Sequence, residues 1–290
     1  MDGTNKFSSK KFFLKKDFGI TNSDIIKFYS DFEVLIIRSV RKIDKNFLDS
    51  TSFKVIATCS KGVDHIDEEY AYKKGIKILN ADEGNHISAA EHTLALILAI
   101  FKKIVLSDAL VRENKFSFYN YERNELFGKS IGIIGFGKVG SYVGNLCNAF
   151  GMKVYANDID KKVKDKNKNY IFKSIKFILQ NCDIVSIHIP MNKNNFRFIS
   201  KDKLKLLSKD SILINTSRGD VVEEKTLIRM LQEKKIKYAG LDVYSNEPNI
   251  DKGFAAVENT VLTNHIAGKT NEGRRKISEN IFFQIIKFFS

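Results

Sequence analysis

The sequence predicts an α/β protein built as two parallel-sheet domains, and three observations carry that prediction. The chain has 290 residues, and at about 150 residues per domain this favours roughly two domains. Hydrophobic residues make up 43% and charged residues 28%, a globular balance that can bury a sizeable core. Short β-rich runs alternate with polar, helix-capable stretches along most of the chain. The runs are almost continuously apolar, as parallel strands covered by helices on both faces require.

The first runs are 34–37 (VLII), 54–57 (KVIA) and 76–79 (IKIL). Residues 88–104 follow as the strongest predicted helix. Their apolar positions recur at helical spacing, and Ser88 with Glu91 is set to form a capping box. Lying between two β/α blocks, this helix is placed to bridge two domains. The strand rhythm resumes at 131–134 (IGII), 154–156 (VYA), 183–189 (DIVSIHI), 212–215 (ILIN) and 238–241 (YAGL). The Lys/Asn-rich run 161–169 is expected to be a solvated loop. Residues 271–289 should form an amphipathic helix that packs back on a neighbouring domain. Pro190 and Pro248 both come after strands, where the ligand-facing loops of such folds lie.

Composition narrows the partners. A formal net charge of +14 and a pI of about 9.4 suit a small anionic ligand. Nucleic acid is disfavoured, because only nine of the 48 basic residues are Arg and no aromatics interleave with them. Cys59, Cys147 and Cys182 are too widely spaced for a disulfide framework or a metal site, which suits a reduced compartment. The longest apolar run, 94–101, is far short of the ~18 residues that span a bilayer. No secretory signal is visible, so a cytoplasmic protein without a membrane partner is expected.

A dinucleotide site is written into residues 131–140, where an apolar strand runs into G-x-G-x-x-G and then into a helix. Gly135 permits the tight turn, Gly137 lets the backbone approach a pyrophosphate, and Gly140 lets helix and strand pack closely. Lys138 and Val139 open the helix, whose first amides and dipole suit phosphate. Asp158, 18 residues after Gly140, ends the second strand, where a carboxylate hydrogen-bonds a ribose hydroxyl. That charge would repel a 2′-phosphate, so NAD is expected rather than NADP.

Three polar residues follow strands in the last third: Arg218, Glu247 and His265. Hydride exchange between nicotinamide and a 2-hydroxy acid also moves a proton at the same oxygen, a task suited to histidine. A carboxylate bonded to the ring fixes its tautomer, and a guanidinium can clamp the substrate carboxylate through two hydrogen bonds.

The stretches 125–137 (ELFGKSIGIIGFG), 188–190 (HIP), 215–219 (NTSRG), 241–248 (LDVYSNEP) and 264–268 (NHIAG) resemble the D-isomer-specific 2-hydroxyacid dehydrogenases. The likeness runs from about Val34 to the C-terminus. Arg38-Ser39, 62–67 (GVDHID) and 84–93 (GNHISAAEHT) resemble the phosphoglycerate dehydrogenase branch of that family. The resemblance implies His265 as acid/base, Glu247 as its partner and Arg218 on the substrate carboxylate. It implies cofactor contacts at His188, Pro190, Thr216, Ser217, Asp242 and Gly268, with Asp242 on the nicotinamide carboxamide, and substrate contacts at Arg38, Ser39, Lys61 and Gly62.

The same resemblance implies two Rossmann-like or flavodoxin-like domains with a cleft between them and dimerisation through the cofactor domain. The substrate domain would comprise residues 1–90 plus 266–290, and the NAD-binding domain residues 91–265. No metal is implied. Ser60-Lys61-Gly62 departs from the family's G-x-G loop, which leaves Lys61, like Lys269, open as an extra charge for a phosphorylated substrate or as lysine-rich composition. The strand and helix that usually precede the stretch matching residues 12–29 are expected to be missing, and no C-terminal regulatory domain is expected after Ser290.

The activity so implied is NAD-dependent oxidation of D-3-phosphoglycerate, a serine-biosynthesis reaction. Glycerate/hydroxypyruvate reductase and erythronate-4-phosphate dehydrogenase are alternatives, and a non-catalytic dinucleotide-sensing protein is a more remote one.

Overall fold

In the computed structural model, which describes residues 12–38, 41–60, 62–81, 84–116 and 122–290, the chain divides into two units. One comprises Met1–Asn85 and Lys269–Ser290, the other His86–Gly268. Of the candidate site residues, Ser39 and Lys61 lie outside the described residues.

The first unit runs α1 (Asn22–Tyr29), β1 (Val34–Ile37), α2 (Lys45–Asp49), β2 (Val55–Thr58), α3 (Glu68–Lys73) and β3 (Lys77–Asn80). Its three strands pair in parallel in sequence order. Alternation along β2 sends Ile56 to one face, into a core with Ile25, Phe47, Leu48 and Ala71 of the three helices. Val55 and Ala57 point to the other face. There the C-terminal helix Asn271–Phe289, with the expected bounds, lays down Ile277, Ile281 and Ile285. Their spacing of four residues forms one apolar stripe.

The second unit begins with α4 (His86–Lys102) and α5 (Ile104–Arg112) and continues β4 (Ser130–Ile134), α6 (Lys138–Ala149), β5 (Lys153–Asn157), α7 (Lys161–Lys166) and β6 (Ile171–Phe172). It then runs α8 (Ile175–Asn181), β7 (Ile184–Ile187), α9 (Lys201–Leu204), β8 (Ile212–Asn215), α10 (Glu224–Gln232), β9 (Tyr238–Leu241) and β10 (Thr260–Leu262). Seven parallel strands stand in the order β10-β9-β8-β7-β4-β5-β6. The chain winds outward from β4 through β5, then crosses back to β7. The carboxyl ends of β4 and β7 are therefore the topological switch point, where sheets of this kind bind ligands. On one face α4 and α6 bury Ile97 and Val143 against Ile131 and Ile133. On the other α8, α9 and α10 bury Ile178, Leu204 and Leu231 against Ile134 and Leu213.

Four local expectations are corrected. Helix α4 starts at His86, so Ser88 lies inside it and forms no capping box with Glu91; its buried hydroxyl donates instead to the carbonyl of Ala267 at 2.6 Å. The helix stops at Lys102, because Lys103 takes a left-handed φ of 55°. It lies wholly in the second unit. Residues 161–166 are helical rather than looped, since Asp160 accepts from the Lys162 amide as an N-cap, although α7 buries none of its residues.

Candidate active site

The loop after β4 is shaped by close packing. Gly135 has φ 89°, and a Cβ there would stand 2.7 Å from the His188 carbonyl oxygen; a Cβ on Gly140 would stand 2.0 Å from the Gly135 oxygen. Gly137 is the reverse case: a Cβ there would meet no atom within 4 Å. It also serves as N-cap of α6 without a side-chain cap, so the helix start at Lys138 and Val139 opens on space that a pyrophosphate fits. Asp158 pins this loop from β5: Oδ2 accepts from the Phe136 amide at 2.8 Å and Oδ1 from the Asp160 amide at 2.9 Å. Each oxygen keeps a second lone pair with which to accept a ribose hydroxyl. Beside it Ile159 is 96% exposed, an apolar surface that sequence reasoning did not single out.

At the end of β7 the His188 amide donates to the Ile134 carbonyl, and its ring lies 2.8 Å from the Ser186 hydroxyl. Burial pushes the imidazole down to about 4, so it is neutral. The Pro190 carbonyl accepts from Asn195 at 2.7 Å.

The three chemistry-bearing residues come from three adjacent strands. After β8, Asn215 folds the chain: Oδ1 accepts from the Ser217 amide and hydroxyl, while Nδ2 donates to the Arg218 carbonyl at 2.9 Å. Gly219 then presses on the loop after β9, where a Cβ would stand 1.9 Å from the Tyr244 carbonyl carbon. The β9 loop is held by the Ser245 amide donating to Glu224 of α10, and the Tyr244 hydroxyl donates to the Thr263 carbonyl beyond β10. These contacts lock three loops together. Glu247 Oε1 accepts from the Tyr244 amide at 3.0 Å, and its Oε2 lies 2.6 Å from His265 Nδ1. Burial pushes the Glu247 carboxyl upward, but the hydrogen bonds from His265 and Tyr244, with the charges of His265 and Arg218, outweigh it and hold the carboxyl below its ordinary value. It is a carboxylate, so His265 donates from Nδ1 and is left with Nε2 as a nitrogen that can accept a proton.

His265 has φ 56°, a left-handed conformation that is strained for a residue with a Cβ. Its neighbours are clamped. Asp242, with no exposed surface, accepts from the amides of Ile266 (2.9 Å) and Ala267 (2.8 Å) and from the Thr263 hydroxyl (2.6 Å). That clamp is a task the sequence did not reveal. Behind it, α4 supplies Ser88, His92 and Thr93, the last 2.9 Å from the Thr216 hydroxyl. Their part in the site was missed; the available signal is a group of polar residues in the first half of a helix that is apolar from Leu94 to Phe101.

In the first unit, Arg38 follows β1 and its charge is felt by Cys59 after β2, whose thiol burial nonetheless pushes up. The Ser60 hydroxyl donates to the Gly62 carbonyl and meets Thr58, which also lies 3.0 Å from His65, folding this turn on itself. Lys269 is exposed. Among the described residues, no cluster of His, Cys, Asp or Glu could hold a metal, and no helix is long and apolar enough to cross a membrane.

Residues 94–267 match the NAD binding domain of the D-isomer specific 2-hydroxyacid dehydrogenases. The chain is 31% identical over 272 residues to a D-3-phosphoglycerate dehydrogenase of Methanocaldococcus jannaschii, covering 93% of this chain and 52% of that protein. It thus spans about half the length of that relative. It is 30% identical over 272 residues to a hydroxypyruvate reductase of Thermotoga maritima, covering 92% of this chain and 88% of that one. Among solved structures, a D-lactate dehydrogenase from Aquifex aeolicus complexed with NAD and lactic acid superposes with a TM-score of 0.82 at 28% identity, covering 93% of this chain and 86% of that one.

Proposed function

Because the chain belongs to the D-isomer-specific 2-hydroxyacid dehydrogenase family, we propose that it oxidises or reduces a small 2-hydroxy acid with NAD. The observation that carries this reading is the 2.6 Å bond between His265 and a Glu247 carboxylate that also feels the Arg218 charge. Bound NAD supplies the acceptor for the hydride leaving C2 of the hydroxy acid. His265 takes the hydroxyl proton at Nε2, since its Nδ1–H is committed to Glu247, and in the reverse direction returns it. Arg218 clamps the substrate carboxylate and polarises the reacting oxygen. The glycine loop cradles the pyrophosphate, and Asp158 selects NAD by holding a negative charge where a 2′-phosphate would lie.

The substrate favoured is D-3-phosphoglycerate, which would become 3-phosphohydroxypyruvate. Arg38, at the carboxyl end of β1, and a net charge of +14 support a phosphorylated anion. A second reading, reduction of hydroxypyruvate, is favoured by the 30% identity over 272 residues to the hydroxypyruvate reductase of Thermotoga maritima. A homodimer through the second unit belongs to the same reading: α5 buries none of its residues and exposes Ile104, Val105 and Val111.

The test is a panel of phosphorylated and unphosphorylated 2-hydroxy and 2-oxo acids followed at the NADH absorbance. Turnover of 3-phosphoglycerate supports the first reading. Turnover of glycerate or hydroxypyruvate alone supports the second.

A further inference from the structure

Helix α4 packs on the sheet through Leu94, Ile97, Ile100 and Phe101, yet near its start it carries Ser88 and His92 one turn apart, with Thr93 beside them. All three reach loops that bear the candidate active site. Ser88 donates to the Ala267 carbonyl, Thr93 meets Thr216 two residues before Arg218, and His92 Nε2 lies 2.9 Å from the Thr263 hydroxyl.

The proton order around His92 follows from counting hydrogens. Thr263 has one hydroxyl proton and gives it to Asp242 Oδ1 at 2.6 Å. Towards His92 it can therefore only accept, so Nε2 of His92 carries the proton and donates. Asp242 Oδ1 lies 3.6 Å from the same nitrogen. The chain His92 Nε2–H, Thr263 O–H, Asp242 thus ends on the carboxylate that grips the amides of Ile266 and Ala267. Those amides immediately follow His265, whose left-handed backbone needs such support.

We propose that His92 is a positioning residue for His265, acting through Thr263 and Asp242 to keep the imidazole in the conformation that transfers the proton. The proposal rests on the reading of His265 as the acid/base. Donation by His92 aligns the Thr263 hydroxyl on Asp242. Without it Thr263 is free to rotate, and the loop that holds His265 loosens. Displacements near 1 Å in such a group cost rates of order a hundredfold.

The test uses the full chain and the acid that wild type turns over best, with NAD affinity measured separately by titration. His92→Phe, which keeps a ring but removes the donor, should lower kcat about tenfold to a hundredfold and leave NAD affinity unchanged. His92→Gln, which offers an N–H at similar reach, should recover most of that loss. Thr263→Val should reproduce the loss without touching His92, Thr263→Ser should restore turnover, and combining His92→Phe with Thr263→Val should add little further. Wild-type turnover by His92→Phe, equal losses in the Phe and Gln variants, or fully additive losses would overturn the proposal. His265→Ala separates the two levels. If it is inactive while His92→Phe is fully active, only the proposal fails; if it turns over like wild type, the underlying reading fails and the proposal with it.

Discussion

Gly219 and Tyr244 lie so close that a methyl group on the first would stand 1.9 Å from the carbonyl carbon of the second. This contact fastens the loop of Arg218 to the loop of Glu247, and its chemistry demands glycine because backbone, not a flexible side chain, fills the space. Gly219→Ala must push the two loops apart. We expect kcat/KM to fall about a hundredfold while NAD still binds, since the glycine loop and Asp158 are untouched. Parallel kinetics and NAD titration check this.

Arg218→Lys keeps the charge and discards the two-pronged geometry. The substrate carboxylate should lose one of its two hydrogen bonds, and kcat/KM should fall by roughly tenfold to a hundredfold. A loss confined to substrate, with NAD affinity unchanged, is the expected signature in steady-state kinetics.

Glu247→Gln removes the charge that commits the Nδ1 proton of His265. An amide can present either a donor or an acceptor to the ring, so the reactive tautomer is no longer fixed. The expected loss is about a hundredfold or more in kcat, measured at saturating NAD and substrate, with little change in melting temperature.

Asp158→Ala acts on the cofactor side. It removes both the anchor of the Phe136 amide and the charge proposed to repel a 2′-phosphate. NAD should bind more weakly and the preference for NAD over NADP should shrink. An unchanged ratio in fluorescence titrations would take Asp158 out of that role.

His188 makes stability depend on pH. Its folded value of about 4 lies below the ordinary 6.5 because burial disfavours the charged ring, so between those values the unfolded chain binds more protons than the folded one. The His188 contribution is therefore complete above pH 6.5 and is lost as pH falls towards 4. His188→Asn should flatten that fall, by roughly 3 kcal/mol at most, in denaturant titrations of both proteins at pH 7 and pH 4.5.

Much of this was legible in the sequence where one local rule dominates. Strands β1, β8 and β9 have the expected bounds because buried parallel strands are uninterrupted apolar runs. The C-terminal helix is equally plain in its isoleucine spacing. Arg218, Glu247 and His265 could be picked out because each follows a strand, and the sheet order brings their loops together. What stayed hidden depends on tertiary partners. Ser88 looks like a cap until Ala267 takes its proton. Asp242 could be picked out as a candidate ligand contact, but not that its oxygens also hold the backbone around His265. The two residues of β6 and three of β10 are too few to show a period, and the break at Lys103 is a backbone choice that its side chain does not announce.

In the proposed reaction His265 moves the substrate proton while the rest of the fold holds the cofactor. NADH formation by His265→Ala, measured beside its NAD affinity, tests it most directly. A loss of about a hundredfold to ten-thousandfold in kcat is expected, with NAD binding intact. Turnover at the wild-type rate would contradict it.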